Sequence, residues 1–443
     1  MTHQNRADFC LFKLGGGVCR PPKFLKLLAL SSVFLLPFMP AMAGATTYGA
    51  FLEQLREAKA AQYLGHPGVK VANATEFEVM RSYLETYYAG ITPTKSFPVG
   101  EQVVDCVPVM EQPALRHATT VATPPPDDID GKTPPGVIEA GPNARGTGAP
   151  GDASRCARGA IPLRRLTLEE LARFRTLGDF FRKQPADSAV HEYAHAFQDV
   201  DNWGGNAALN LWKTSVNQNQ GEDTSIAQHW YVGGSGSQLQ TAETGWINYP
   251  GKFGNDPVLF IYWTADDYNV TGCYNLDCTA FVQVNSDWCL GCKFNNYSQT
   301  QGKQYEIELG YYLYQGNWWL KVGENPWRKH ETRWLGYYPA SIYNSGQMSQ
   351  NAQIIDYGGE VAVNQNATSW PCMGSCHFAD DGYRSAAYVR RIIYRGDTSN
   401  THYDPSLTPQ DLNADCYTIT NPENNGQWKK TYFFFGGPGN TSC

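Results

Sequence analysis

Gln353-Ile-Ile-Asp-Tyr-Gly-Gly-Glu-Val-Ala-Val363 sets β-branched and aromatic residues around a Gly-Gly pair, with a glutamate just beyond it. Such side chains suit a pleated surface, so the segment reads as a strand. Period-two counting puts Asp356, Gly358, Glu360 and Ala362 on one face. Thr241-Ala-Glu-Thr-Gly-Trp246 has the same texture, and the same counting groups Glu243, Gly245, Ile247 and Tyr249. A carboxylate on a half-buried β-surface loses hydration, which raises its pKa unless a partner compensates. Glycines beside both glutamates let another backbone or a ligand approach closely. Two such carboxyls brought together share a proton and divide acid and base work. Taken singly, each glutamate has a plainer reading, as a surface charge or a structural acceptor. Spacing alone does not show that the two faces meet.

Around these segments, short apolar and aromatic runs alternate with Gly, Asn and Asp turns: Ile226–Val232, Leu259–Thr264, Thr279–Val284, Gln304–Tyr314, Trp318–Val322, Tyr388–Tyr394 and Thr431–Phe435. The expected fold is mainly β, an antiparallel β-sandwich over residues 187–443, with a barrel as the other closure of such a pattern. The amino-terminal part differs. Tyr48–Gln62 and Phe77–Tyr88 carry apolar residues at helical spacing, and Thr167 with Glu170 forms a capping box. The expected layout is a leader (1–43), a small, partly helical module (44–122), a Pro/Gly-rich linker (123–155) and a helical connector (156–186). The β domain follows.

Charged residues make up 17% of the 443, and aromatics 13%, which argues against disorder and against long helices. The net charge of −7 is dispersed, so nucleic acid is not an expected partner. Lys23 and Lys26 accompany an apolar run from Phe24 to Phe38, followed by Met-Pro-Ala-Met-Ala43. This pattern predicts a signal peptide cut after Ala43 and a secreted or periplasmic chain. The run is too short for an anchor and is broken by Pro37 and Pro40, so no stable membrane insertion is expected. Cys10 and Cys19 would leave with the leader, and the ten remaining cysteines read as disulfides. Close pairs are Cys273/Cys278, Cys289/Cys292 and Cys372/Cys376, with Cys106/Cys156 and Cys416/Cys443 at longer range. A zinc role for Cys289-Leu-Gly-Cys292 is the alternative, disfavoured in an oxidising compartment.

His191-Glu-Tyr-Ala-His195 fits a zinc-peptidase signature, in which two His one helical turn apart bind metal and the Glu activates water. Positions 201 and 202 are Asp and Asn, and the next histidine is His229, so the usual third ligand is missing. Val190 to Phe197 reads equally well as a strand. No metal and no cofactor are expected.

From about residue 103 the chain resembles the neprosin family of glutamic peptidases. The resemblance is carried by Val104-Asp-Cys-Val-Pro-Val-Met-Glu-Gln-Pro-Ala114, Cys156–Arg165, His191-Glu-Tyr-Ala194, Glu243-Thr-Gly-Trp246 and Phe260–Asp266. Thr271–Cys278, Gly316–Leu320, Gly336-Tyr-Tyr-Pro339, Tyr357-Gly-Gly-Glu-Val361 and Tyr432–Gly439 complete the ordered set. It implies a propeptide, a β-sandwich, a Glu243/Glu360 catalytic pair and cleavage after proline in acid. The implied partners are a peptide or protein substrate, of proline-rich kind, and the chain's own propeptide as inhibitor; a monomer is expected. The segment Asp199–Gly221, the Cys289/Cys292 and Cys372/Cys376 pairs and the long linker depart from the plant pattern.

Trp246, Tyr249, Trp263 and Tyr357 are candidates to line a cleft and stack on proline rings, against the ordinary role of such residues as core. Processing is expected in the 123–152 stretch or at Arg164-Arg165. The reading from a different class is a non-catalytic β-sandwich that binds carbohydrate or cell-wall polymer.

Overall fold

The computed structural model describes residues 47–127, 129, 156–183, 190–323, 333–397, 400–402, 405–424, 431–441 and 443. The predicted leader and most of the linker lie outside these residues, as does the 184–189 stretch where the connector was expected to end.

Three short strands, β1 (Lys95–Val99), β2 (Gln102–Pro108) and β3 (Ala160–Arg164), form an antiparallel sheet in the amino-terminal module. Then come β4 (Val190–Asn202), β5 (Gly205–Asn210), β6 (Glu222–Gly233), β7 (Gln240–Asn248), β8 (Val258–Thr264), β9 (Cys273–Tyr274) and β10 (Val282–Gln283). The next are β11 (Glu306–Tyr314), β12 (Asn317–Gly323), β13 (Arg333–Pro339), β14 (Ala352–Val363) and β15 (Ala387–Arg395). Last are β16 (Thr401–His402), β17 (Thr408–Asp411), β18 (Thr418–Ile419) and β19 (Tyr432–Gly436).

The Gln353–Val363 stretch falls within β14, which lies inside one sheet of order β17-β4-β14-β6-β7-β8-β9. The second sheet runs β10-β13-β12-β11-β5-β15-β19-β18, with β16 on β15. All pairings are antiparallel, as the alternating pattern requires. The glycines act as expected. A Cβ at Gly245 would meet the Ala227 carbonyl oxygen at 2.0 Å, and one at Gly358 (φ +154) would meet that of Ala194 at 2.5 Å. Both positions need a residue without a side chain so that the neighbouring strand can close up.

The two sheets share a core. The Trp246 indole donates to the Asn210 carbonyl at 2.9 Å, and Tyr231 donates to that of Gly205 at 2.7 Å. Each bond spans from the first sheet to β5 of the second.

The module contains α1 (Tyr48–Glu57), α2 (Ala74–Tyr88), α3 (Leu168–Leu171) and α4 (Leu177–Phe181). Thr167 and Glu170 make the reciprocal capping bonds at 3.3 and 3.2 Å. The buried side of α2, with Phe77, Met80 and Leu84, belongs to the same apolar cluster as Tyr249, Phe253 and Tyr274 of the β domain. Tyr83 and Tyr87 donate to the carbonyls of Asp277 and Leu276, fixing α2 to the β domain. Among the described residues, no helix is long and apolar enough to cross a membrane.

Disulfides join the five expected pairs: Cys106–Cys156, Cys273–Cys278, Cys289–Cys292, Cys372–Cys376 and Cys416–Cys443. The geometry bears on both processing sites expected from the sequence. Arg164 and Arg165 are buried: Arg164 pairs with Glu170 at 2.7 Å and Arg165 with Asp105 at 2.6 Å. The Pro/Gly linker is bracketed by Cys106–Cys156 and by the β2–β3 pairing, so a cut inside it leaves the module in one piece.

Candidate active site

Glu360 of β14 stands in register with Tyr193 of β4 and Ile226 of β6. Glu243 of β7 is opposite Trp230 of β6 and Tyr262 of β8. The two carboxylates reach the same ammonium. Lys183 Nζ is 2.6 Å from Glu243 Oε2 and 2.9 Å from Glu360 Oε2. Those two distances laid end to end limit the oxygens to about 5.5 Å apart. A water accepting or donating bonds of ordinary length spans such a gap.

Each carboxylate has a second set of partners. Glu243 Oε1 accepts from Thr241 Oγ1 at 2.8 Å and from the Tyr268 hydroxyl at 2.7 Å. Glu360 Oε1 lies 2.8 Å from His191 Nδ1, and its Oε2 also accepts from Gln228 Nε2. Both glutamates are fully withdrawn from solvent, with Lys183 6% exposed. Burial alone would raise the Glu360 pKa, but Lys183 and His191 outweigh it and hold the carboxyl at about 2. Lys183 behaves conversely: burial works against its charge, and the two glutamates still raise its pKa.

Lys183 comes from outside the β domain, two residues past α4. Its carbonyl accepts from the Tyr274 hydroxyl at 2.8 Å. The module therefore covers the pair and inserts one cation between its members.

The zinc signature lies on β4, not on a helix. Four residues along a strand span about 13 Å, so His191 and His195 cannot share a metal as they would one helical turn apart. They serve different carboxylates: His191 faces Glu360, and His195 Nδ1 lies 2.8 Å from Asp356 Oδ2. Asp356 keeps its proton more readily than an ordinary carboxyl because it is buried, although His195 opposes this. Burial disfavours the charge on His195, yet Asp356 raises its pKa overall. Tyr193, His195, Trp230, Thr241, Tyr268 and Asp356 are among the residues that line a cavity of about 250 Å³ beside Glu243.

The aromatic candidates lie elsewhere. Trp246 bonds across the inter-sheet core, and Tyr357 packs on His229 within it. Trp263 lies against Tyr338 and Tyr343, on the side of the second sheet. Tyr249 packs against Phe253, Tyr274 and the module's Phe174. Period-two counting from Glu243 separates Trp246 from the carboxylate face, and from Glu360 it separates Tyr357 in the same way.

Sequence reasoning missed Lys183, Gln228 and Tyr268. Thr241 was legible, two residues from Glu243 on the same strand face. Gln228 carried a weaker signal, in phase with Trp230. Tyr268 sits at φ +60 in the turn after β8, where no periodicity applies.

Among solved structures, scytalido-glutamic peptidase with a transition state analog inhibitor aligns at 10% identity and TM-score 0.29, covering 56% of this chain and 98% of that one. SCP-B, a member of the Eqolisin family of peptidases in complex with the tripeptide Ala-Ile-His, aligns at 8% identity and TM-score 0.27, over 56% and 98%. The tailspike protein 2 domain of bacteriophage CBA120 aligns at 8% identity and TM-score 0.21, over 44% and 23%. Likenesses this slight bear neither on the site nor on the activity. The Neprosin family model matches residues 221–438, just under half of the chain and a span holding both glutamates, so the β domain is similar to the neprosin family.

Proposed function

We propose that the protein is an exported acid endopeptidase of glutamic type, made as a zymogen, that cleaves after proline with Glu243 and Glu360. The observation that supports this reading is a single ammonium held by both carboxylates, which brings together two groups 117 positions apart in the sequence. With Lys183 withdrawn, two buried carboxyls face each other across a gap that suits one water. They then favour a shared proton, because like charges at this separation resist full ionisation.

In the working enzyme the ionised member takes a proton from the water, which attacks the scissile carbonyl. The protonated member hydrogen-bonds to that carbonyl oxygen and later delivers its proton to the departing amine. No covalent intermediate forms. Tyr268 and Thr241 orient Glu243, while Gln228 and His191 orient Glu360. The aromatic cavity beside Glu243 offers rings against which a proline can stack, a role that passes from Trp246, Trp263 and Tyr357 to Tyr193, Trp230 and Tyr268. The module from residue 47 to Lys183 is the inhibitor. The disulfides suit an oxidising, extracytoplasmic compartment.

The test is digestion of a proline-rich protein by the acid-incubated full chain, with and without a chelator. Cleavage after proline that survives chelation is expected. No cleavage under any acid condition would favour a binding module instead, and loss on chelation would favour a metallopeptidase.

A further inference from the structure

An aromatic floor leads away from Glu243. Tyr268 stacks on Tyr262 with centroids 6.1 Å apart, Tyr262 meets Tyr274 at 4.9 Å, and Tyr274 meets Phe253 at 5.6 Å. Phe253 belongs to the short helix α5 (Pro250–Phe253), whose Lys252 is buried beside it. Phe180 of the module packs on Lys252 at the end of this floor, and Phe174 beside it packs on Tyr249. Lys252 Nζ lies 3.2 Å from the centre of the Phe180 ring and donates to the Phe180 carbonyl at 2.8 Å. The same ammonium pairs with Asp277 at 2.9 Å, which fixes its position independently of the module.

We propose that this socket, formed by Tyr249, Lys252, Phe253 and Tyr274, is a substrate subsite for a large aromatic or aliphatic side chain. The inference rests on the peptidase reading and adds a second determinant to it, remote from the scissile bond. Three features support a peptide as occupant. Phe180 is a peptide residue already held there by Lys252, through its ring and its carbonyl. The Tyr274 hydroxyl holds a second main-chain carbonyl, that of Lys183, on the path to the carboxylates. Both donors belong to the β domain and remain when the module leaves.

The sheet sets the reach. Glu243 pairs with Tyr262, and Tyr262 with Tyr274, so the socket begins two strand spacings from the catalytic face of β7, about 10 Å away. An extended substrate covers that distance in about three residues.

The experiment uses the acid-incubated full chain and a peptide library varying about four positions on each side of a fixed cleavage point. Wild type is expected to prefer Phe or Leu over Ala at one position about three residues from the cut, by at least about tenfold in kcat/KM. In Phe253→Ala, and more mildly in Tyr274→Phe, that ratio should collapse toward one. Cleavage by wild type with no preference at any remote position overturns the subsite and leaves the peptidase reading intact. A preference unaltered in both variants also overturns it. No cleavage of any member overturns the peptidase reading, and the subsite with it.

Discussion

Replacing Lys183 by methionine keeps most of the side chain's length and removes its charge from between Glu243 and Glu360. The structure sets the size of the effect. Glu360 is held at about 2 against an ordinary 4.5, which corresponds to about 3 kcal/mol in favour of the ionised, paired form. Because its folded pKa is depressed, this contribution is complete above about pH 4.5 and is lost as pH falls toward 2. On the proposed zymogen reading, acid loosens the module by protonating the carboxylate that Lys183 holds. In Lys183→Met the loosening no longer waits for acid: two buried carboxylates within about 5.5 Å lose their common cation, at a cost of about 3–5 kcal/mol. Three kcal/mol is about a hundredfold in the population of the seated module. The assay is hydrolysis of a quenched peptide by uncut full chain between about pH 3 and pH 7, with integrity followed by mass spectrometry. The variant should be about a hundredfold more active than wild type above pH 4.5, and its pH threshold should be shallower. A folded Lys183→Met protein as latent as wild type at every pH would refute the role assigned to this lysine.

Three further outcomes depend on the same geometry. A site-specific protease sequence inserted between Asn143 and Ala144, once cut, should leave latency unchanged, because Cys106–Cys156 and the β2–β3 pairing keep the module whole; activation by that cut alone would show the module held otherwise. Trp246→Ala should lower stability by about 3–5 kcal/mol in denaturant unfolding without altering the order of preferred peptides, as expected of an inter-sheet core residue rather than a cleft residue. Tyr268→Phe should shift the acid limb of the pH–activity profile while leaving melting temperature nearly unchanged, since it removes one hydrogen bond to Glu243; an unmoved profile would deny the hydroxyl a positioning role.

The β architecture was legible because its signal is periodic. The run Gln353–Val363 became β14 almost residue for residue, and Gly245 and Gly358 admit the neighbouring backbones as their position in the pattern suggested. The two glutamates were legible as a pair through their shared texture and a family resemblance. Their meeting was not, since strand order joins β14 to β7 only through β6 and no local pattern encodes that order. His191 and His195 were ambiguous because four-residue spacing means one face of a helix or two same-face steps along a strand, and only pairing decides which. Two of the aromatic candidates point away from the carboxylates for a related reason. Trp246 and Tyr357 lie one pleat out of phase with their carboxylates, a distinction that period-two counting carries and aromatic character does not. Lys183 was invisible because its role depends on contacts between distant parts of the chain.

The mechanism stands or falls on Glu243 and Glu360 acting together on one water. Its most direct test compares kcat/KM for a single proline-containing peptide in wild type, Glu243→Gln and Glu360→Gln, each with Lys183→Met so that the module does not mask the result. Each glutamine variant should lose about 10²–10⁴-fold or more at acid pH, and the double variant should lose little beyond the worse single one. Hydrolysis undiminished by either substitution would contradict the shared-water mechanism.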